Sequence, residues 1–282
     1  MAQSHPAAAE LIAVTESAPT RFERDTAVTR VSEGIFEARI DPGWWIVAGP
    51  NGGYVAALLL RALAAAVDDP ARHPRSYTLH FTARPVEGPA RIETRIERRG
   101  RSLTTVSGRL LQEDHTLCLA LAAFSLPRTA PEFDEAVMPE ALPPEKCRVL
   151  ERRIEIHRRY ESRWAVGSPP FSSGDRAHCG GWIRLAEPCL VDAPLVAAYT
   201  DAFPPALFSR LPAEGLTGGV PTVELTIQFR EELPIAGAAP DDFTLAVFRS
   251  RRLHEGFVDE DGEIWSRDGR LLAQSRQLAI VM

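Results

Sequence analysis

The chain runs twice through the same order of apolar and polar patterns. From Asn51, "NGGYVAALLLRALAAAV" is almost continuously apolar behind a Gly-Gly turn, which predicts a long buried helix. Four strand-like runs follow it: "RSYTLHFTARP", "ARIETRIERRG", "SLTTVSGRLLQEDH" and "TLCLALAAFSL". Further on, "VDAPLVAAYTDAF" predicts a second helix. Behind it come "TVELTIQFREELP", "FTLAVFRSRRL", "GFVDEDGEIWSRDG" and "RLLAQSRQLAIV". Tyr77, Leu79 and Phe81 alternate with polar neighbours, and so do Leu225, Ile227 and Phe229. That period of two marks strands with one buried face. Asp114-His115 and Asp268-Gly269 lie between strand runs, where hairpin turns belong. A further strand is expected before each helix, at "GIFEARI" and "HCGGWIRLA".

Between the copies, "PRTAPEFDEAVMPEALPPE" from Pro127 to Glu145 has no periodicity and the composition of a linker. The expected division is residues 1–126 as an N-terminal unit, 127–150 as a Pro-rich linker and 151–282 as a C-terminal unit. A long apolar helix among mostly antiparallel strands implies a helix wrapped by a curved sheet. One such unit leaves a helix face and a sheet edge uncovered. Two units side by side bury both by joining into one continuous sheet. The predicted class is therefore α+β, a double hotdog.

Composition narrows the function. The 282 residues are 45% hydrophobic and 25% charged, with a net charge of −6, which does not fit a nucleic-acid binder. Cys118, Cys147, Cys179 and Cys189 form no C-x-x-C pair, and no His cluster has metal-ligand spacing. No metal and no cofactor are expected, and the thiols read as free in a reducing cytoplasm. "MAQSHPAAAELIAV" lacks a basic n-region and holds Glu10 in its apolar patch, a poor signal peptide. The stretch Tyr54 to Val67 is interrupted by Arg61 and is too short to span a bilayer. A cytoplasmic protein without membrane insertion is expected.

One acid stands out. Asp201 sits inside the apolar stretch "LVAAYTDAFPPAL". A buried, unpaired carboxylate costs roughly several kcal/mol. Either Asp201 lies on an exposed helix face, or it points into a site that uses its charge. Superposing the copies favours the second. Phe229 on Phe81 sets Thr222 opposite Pro74, and Asp268 on Asp114 sets Gln277 opposite Ala123. Asp201 falls near Leu60 or Arg61. Three polar residues of the second copy thus lack a functional counterpart in the first, as expected of a site built once.

Three segments carry a resemblance. "AAYTDAF", "VPTVELTIQF" and "DGRLLAQSRQLAIVM" resemble the site segments of the TesB-like (type II) acyl-CoA thioesterases, whose fold is the double hotdog. The likeness runs from about residue 20 to the end. It implies hydrolysis of fatty acyl-CoA to free acid and CoA, with Asp201, Thr222 and Gln277 holding and activating a water. The family's D-H-S after the threonine reads "ELT" here, and its E-G-V after the glutamine reads "LAI". These departures bear on substrate choice more than on the reaction.

The residue types suit that chemistry. Asp201 would be a general base made more basic by apolar surroundings. Thr222 and Gln277 would fix the water's position, with no covalent intermediate, in a chain without a G-x-S-x-G elbow. The backbone N–H of Gly53, with that of Tyr54, is the expected oxyanion partner at a helix N-terminus. Asn51 reads equally as an N-cap. Trp44 and Trp45 read as acyl-tunnel walls or as core anchors. Arg98, Arg99 and Arg101, or Arg249, Arg251 and Arg252, read as CoA-phosphate ligands or as solvated faces. Two rival functions stand beside hydrolysis. One is a non-catalytic acyl-CoA or lipid-binding protein. The other is an enoyl-CoA hydratase, which pairs its Asp with a His further along the same segment; no His follows Asp201 within its helix. A homo-oligomer is expected.

Overall fold

The computed structural model describes residues 18–47, 49–152, 154–212 and 219–282. The N-terminal stretch weighed as a signal peptide lies outside them. The elements are α1 (Arg21–Asp25), β1 (Thr29–Ser32), β2 (Ile35–Ile40), α2 (Gly52–Val67), β3 (His73–Phe81), β4 (Gly88–Arg99), β5 (Leu103–Gln112) and β6 (His115–Ser125). They continue with β7 (Arg148–Val149), β8 (Tyr160–Gly167), β9 (His178–Leu185), α3 (Ala193–Tyr199), β10 (Thr222–Phe229), β11 (Thr244–Arg249), β12 (Leu253–His254), β13 (Phe257–Trp265) and β14 (Leu271–Ile280).

Among the described residues the strands form one antiparallel sheet in the order β1-β2-β4-β5-β6-β3-β10-β14-β13-β11-β9-β8-β7, with β12 on β13. The first copy's order is mirrored in the second. At the seam, β3 pairs with β10 so that Thr78 faces Thr226, with their hydroxyl oxygens 3.0 Å apart. Thr226 is also the repeat counterpart of Thr78. A residue paired with its own counterpart places the pseudo-twofold axis through that pair. The sheet has no edge at the seam, which is the gain foreseen for two joined copies.

α2 is capped by Asn51, whose side-chain oxygen accepts from the Tyr54 amide, and it ends at Asp68 in the left-handed region (φ 54°). It is apolar on nearly every side because it is buried on nearly every side, from Gly53 through Leu60. The helices lie antiparallel. Gly53 at the start of α2 abuts Ala198 near the end of α3, and Arg61 further along α2 pairs with Asp192, the N-cap of α3, at 3.3 Å.

Three expectations needed correction. The predicted second helix stops at Tyr199, so Asp201 lies past its end instead of inside it. Pro204 and Pro205 follow closely and cannot extend a helix. The β5–β6 turn is Glu113-Asp114, one residue earlier than expected, with Glu113 at φ 52°. The β13–β14 loop is longer, running from Ser266 to Arg270. Aligning the two turns therefore shifts the last strand by one. Tyr77 pairs with Ala122 as Leu225 pairs with Gln277, so the counterpart of Gln277 is Ala122 and not Ala123.

The Pro-rich stretch is more than a tether. Met138, Ala141 and Cys147 pack on a second apolar cluster of Val166, Trp182, Phe243, Leu245, Val247 and Trp265. Trp182 Nε1 donates to the Leu142 carbonyl at 2.7 Å. Arg148 and Val149, placed in the linker by composition, pair with β8. All four cysteines are free thiols. Among the described residues no helix is long and apolar enough to cross a membrane.

Candidate active site

The site forms where α2 begins and α3 has just ended. Asn51, as N-cap, spends its side-chain oxygen on the Tyr54 amide (3.1 Å). Its amide nitrogen remains, and it donates to Asp201 twice: to the main-chain carbonyl at 2.7 Å and to Oδ2 at 2.9 Å. The Gly53 N–H donates to the same Oδ2 at 3.1 Å. Asp201 thus occupies the N-terminus of the other copy's helix, where free N–H groups and the positive dipole end favour an anion.

Gln277 and Thr222 come from neighbouring strands. Gln277 on β14 points inward and is 7% exposed. Its Nε2 lies 3.4 Å from Asp201 Oδ1 and donates to Thr222 Oγ1 at short range. Simple alternation would put Thr222 on the face of Glu224 and Thr226, away from Gln277. The β10–β14 register shifts between Thr222 and Glu224, and this bulge turns Thr222 inward. The first copy has the same irregularity between Pro74 and Ser76. The backbone device is thus present twice, but only the second copy carries a hydroxyl on it.

The carboxyl of Asp201 is electrostatically tense. Part of it still meets solvent, but the surrounding protein removes most of its hydration. Burial pushes its pKa up to about 6, against the hydrogen bonds from Gly53, Gln277, Gly52 and Asn51, which favour the anion. Asn51 and Gly53 donate to Oδ2, whereas Gln277 approaches Oδ1 at the longer distance of 3.4 Å. Oδ1 is the side that faces Gln277.

The mirrored position in the first copy is closed. Counted from the N-caps Asn51 and Asp192, the counterpart of Asp201 is Leu60. With Pro74 and Ala122 it replaces all three polar groups by apolar ones. At the N-terminus of α3, Arg61 pairs with Asp192 and lies over the Phe22 ring at 5.6 Å.

The remaining candidates fall differently. The amides of Gly53 and Tyr54, expected to await a substrate carbonyl, are held by Asp201 and Asn51 in this geometry. Trp44 is a core anchor stacked on Tyr54 (5.3 Å, 2°), with its Nε1 on Asp25. Arg249 and Arg251 pair with Asp261, and Arg99 donates to the Val67 carbonyl. The sequence reading missed Asn51 as a ligand of Asp201. The available signal was that asparagine, unlike other capping residues, keeps two donors free after capping.

Known proteins agree with this architecture. Residues 41–125 match the acyl-CoA thioesterase N-terminal domain and residues 131–281 match the acyl-CoA thioesterase C-terminal domain. An uncharacterised protein of Mycobacterium tuberculosis is 26% identical, covering 88% of this chain and 91% of its own length. A protein of unknown function with a hotdog fold from Alicyclobacillus acidocaldarius superposes with a TM-score of 0.83 at 25% identity, covering 94% of this chain and 99% of that one. A candidate thioesterase II from Thermobifida fusca gives 0.79 at 29% identity, covering 93% and 98%. The fold is shared with acyl-CoA thioesterase II TesB2 of Mycobacterium marinum, at a TM-score of 0.73 and 18% identity over 93% and 98%. With both halves matched in order, the chain belongs to the acyl-CoA thioesterase family and has the double hotdog fold.

Proposed function

We propose that the protein hydrolyses the thioester of an acyl-CoA to the free acid and CoA, with water activated by Asp201, Thr222 and Gln277. The observation that carries this reading is the contrast between the two oxygens of Asp201. Oδ2 is anchored by Asn51 and Gly53, and Oδ1 turns toward Gln277, whose amide also donates to Thr222. An anchored carboxylate with one oxygen still available is what a general base requires.

In this scheme a water lies between Asp201 Oδ1, Thr222 and Gln277. Asp201 takes one proton as the water oxygen attacks the thioester carbon. The tetrahedral intermediate then collapses and expels the CoA thiolate. Once protonated, Asp201 is a weaker acceptor for the Gly53 N–H. That amide is then free to serve the developing oxyanion, in keeping with the role expected for it. The Tyr54 amide stays with Asn51 in this reading. Positioning of this kind can supply on the order of 7–11 kcal/mol at best.

The test is release of free thiol from short, medium and long acyl-CoAs by the purified protein, beside Asp201→Asn. Turnover lost in the variant with CoA binding kept supports the proposal. Binding without turnover in the wild type favours the non-catalytic acyl-CoA-binding reading instead.

A further inference from the structure

Glu260 carries a half-buried carboxyl group that the scheme above does not use. It pairs with Gln277 across β13 and β14. Directly opposed residues of an antiparallel pair share a face, so Glu260 stands beside Gln277 on the inner side of the sheet. Its Oε2 accepts the Ala206 N–H at 2.5 Å. Ala206 closes the Pro204-Pro205 turn that leads directly away from Asp201. One carboxyl group therefore touches both arms of the site: the strand of Gln277 and the segment behind Asp201.

Among the described residues no cation neutralises it. Asp201 at the exit of α3 and Asp259 on the same strand both repel its charge, and the Cys179 thiol of β9 is within electrostatic reach. Gln277 and Ala206, its neighbours on β14 and on the turn, are uncharged. The nearby arginines Arg249, Arg251 and Arg276 converge on Asp261, whose side chain alternates to the outer face.

We propose that Glu260 is a positioning residue of the hydrolytic site, a carboxyl that fastens the Asp201 segment to the strand beside Gln277 and, once ionised, sets a second negative charge against the oxyanion that develops beside Asp201. The proposal rests on the hydrolase reading for its effect on turnover. The electrostatics agree with it. Burial pushes Glu260 up to about 8, the Ala206 N–H works against that by favouring the anion, and ionised Asp201 adds to the rise. Asp201, near 6, ionises first. The active form thus has Asp201 charged and Glu260 protonated, and a second negative charge beside it is disfavoured.

The experiment combines kcat–pH profiles with carboxyl 13C NMR. In the wild type kcat should fall as pH rises through about 8, the range of Glu260. Glu260→Gln, which keeps an acceptor and cannot ionise, should move that fall upward by more than one pH unit. Glu260→Ala should lower kcat at least tenfold with KM within threefold, and Gln should recover most of that loss. An unchanged alkaline limb in Glu260→Gln, or wild-type kcat in Glu260→Ala, overturns the proposal. The NMR arm is independent of turnover. The δ-carboxyl signal absent from Glu260→Gln should titrate near 8 in the wild type and at lower pH in Asp201→Asn. Titration below about pH 6, in the ordinary carboxylate range widened by its scatter, overturns the proposal as well. If the wild type turns over no acyl-CoA, the hydrolase reading fails, and the NMR arm still decides whether Glu260 and Asp201 are coupled.

Discussion

The Gly53 N–H donates to the Asp201 carboxylate at 3.1 Å, and this bond joins the first turn of one copy's helix to the chain just beyond the other's. Neither copy could make it alone. The site is a product of the fusion, because one half supplies the helix N-terminus and the other the acid.

Asp201→Asn removes the proton acceptor but keeps a side chain of the same shape. We expect kcat to fall at least a thousandfold, as general-base assistance and water positioning are lost together. Folding should not suffer. Because Asp201 is raised from 3.8 to about 6 in the folded state, its contribution is most favourable below the unfolded value and is lost as pH rises through 6. Above that pH the variant should match or exceed wild-type stability, by on the order of 2–3 kcal/mol at most. Thermal melts at pH 5 and 8 check this, and a variant less stable at pH 8 would sink the account of a desolvated carboxylate.

The same ionisation governs the acid side of the rate profile. Hydrolysis should rise with pH through about 6, as Asp201 loses its proton, and level off until the alkaline fall assigned to Glu260 begins near 8. A kcat/KM profile of the free enzyme reads that value directly. A limb near the ordinary aspartate range would assign the base elsewhere.

Gly53 and Gly52 separate packing from chemistry. A methyl group at Gly53 would lie 2.4 Å from the Ala198 carbonyl oxygen, a backbone atom that cannot swing aside. Gly53→Ala should force α2 from α3 and lower stability by about 1–3 kcal/mol, measured by denaturant unfolding. At Gly52 the methyl would meet Asp201 Oδ2 at 3.0 Å and the Phe81 ring at 3.3 Å. Gly52→Ala should therefore affect kcat more than the melting temperature.

Thr222 is expected to act through its hydroxyl. Thr222→Ser keeps the group that accepts from Gln277 and should retain most activity. Thr222→Val keeps the shape, loses that group and should reduce kcat by about ten- to a hundredfold. Equal rates for serine and valine variants would show that the hydroxyl takes no part.

At the seam, Thr78 and Thr226 offer a test of the fusion itself. A double-mutant cycle with valine at each position should return a coupling of about 0.5–1.5 kcal/mol for their hydrogen bond. Additive effects in urea unfolding would place the energy of the seam elsewhere.

Local pattern alone determined much of this molecule. Periods of two in β3 and β10, a nearly continuous apolar run in α2 and matching order in both halves sufficed to predict one joined sheet around two helices. These are short-range signals: burial of one face repeats at every second residue of a strand, and turn residues mark where each strand ends. The one-sided trio was legible too, because superposing the copies sets Pro74, an alanine and either Leu60 or Arg61 opposite it, and the N-caps of the two helices then select Leu60. Tertiary structure decided the rest. The bulge that turns Thr222 inward, the true partner Ala122 and the anchoring of Asp201 by Asn51 and Gly53 all depend on contacts between residues far apart in the chain. So does the environment of Glu260, whose carboxyl group is expensive to ionise only because two strands and a proline turn close around it. Desolvation and register are properties of what surrounds a residue, and no local pattern encodes them.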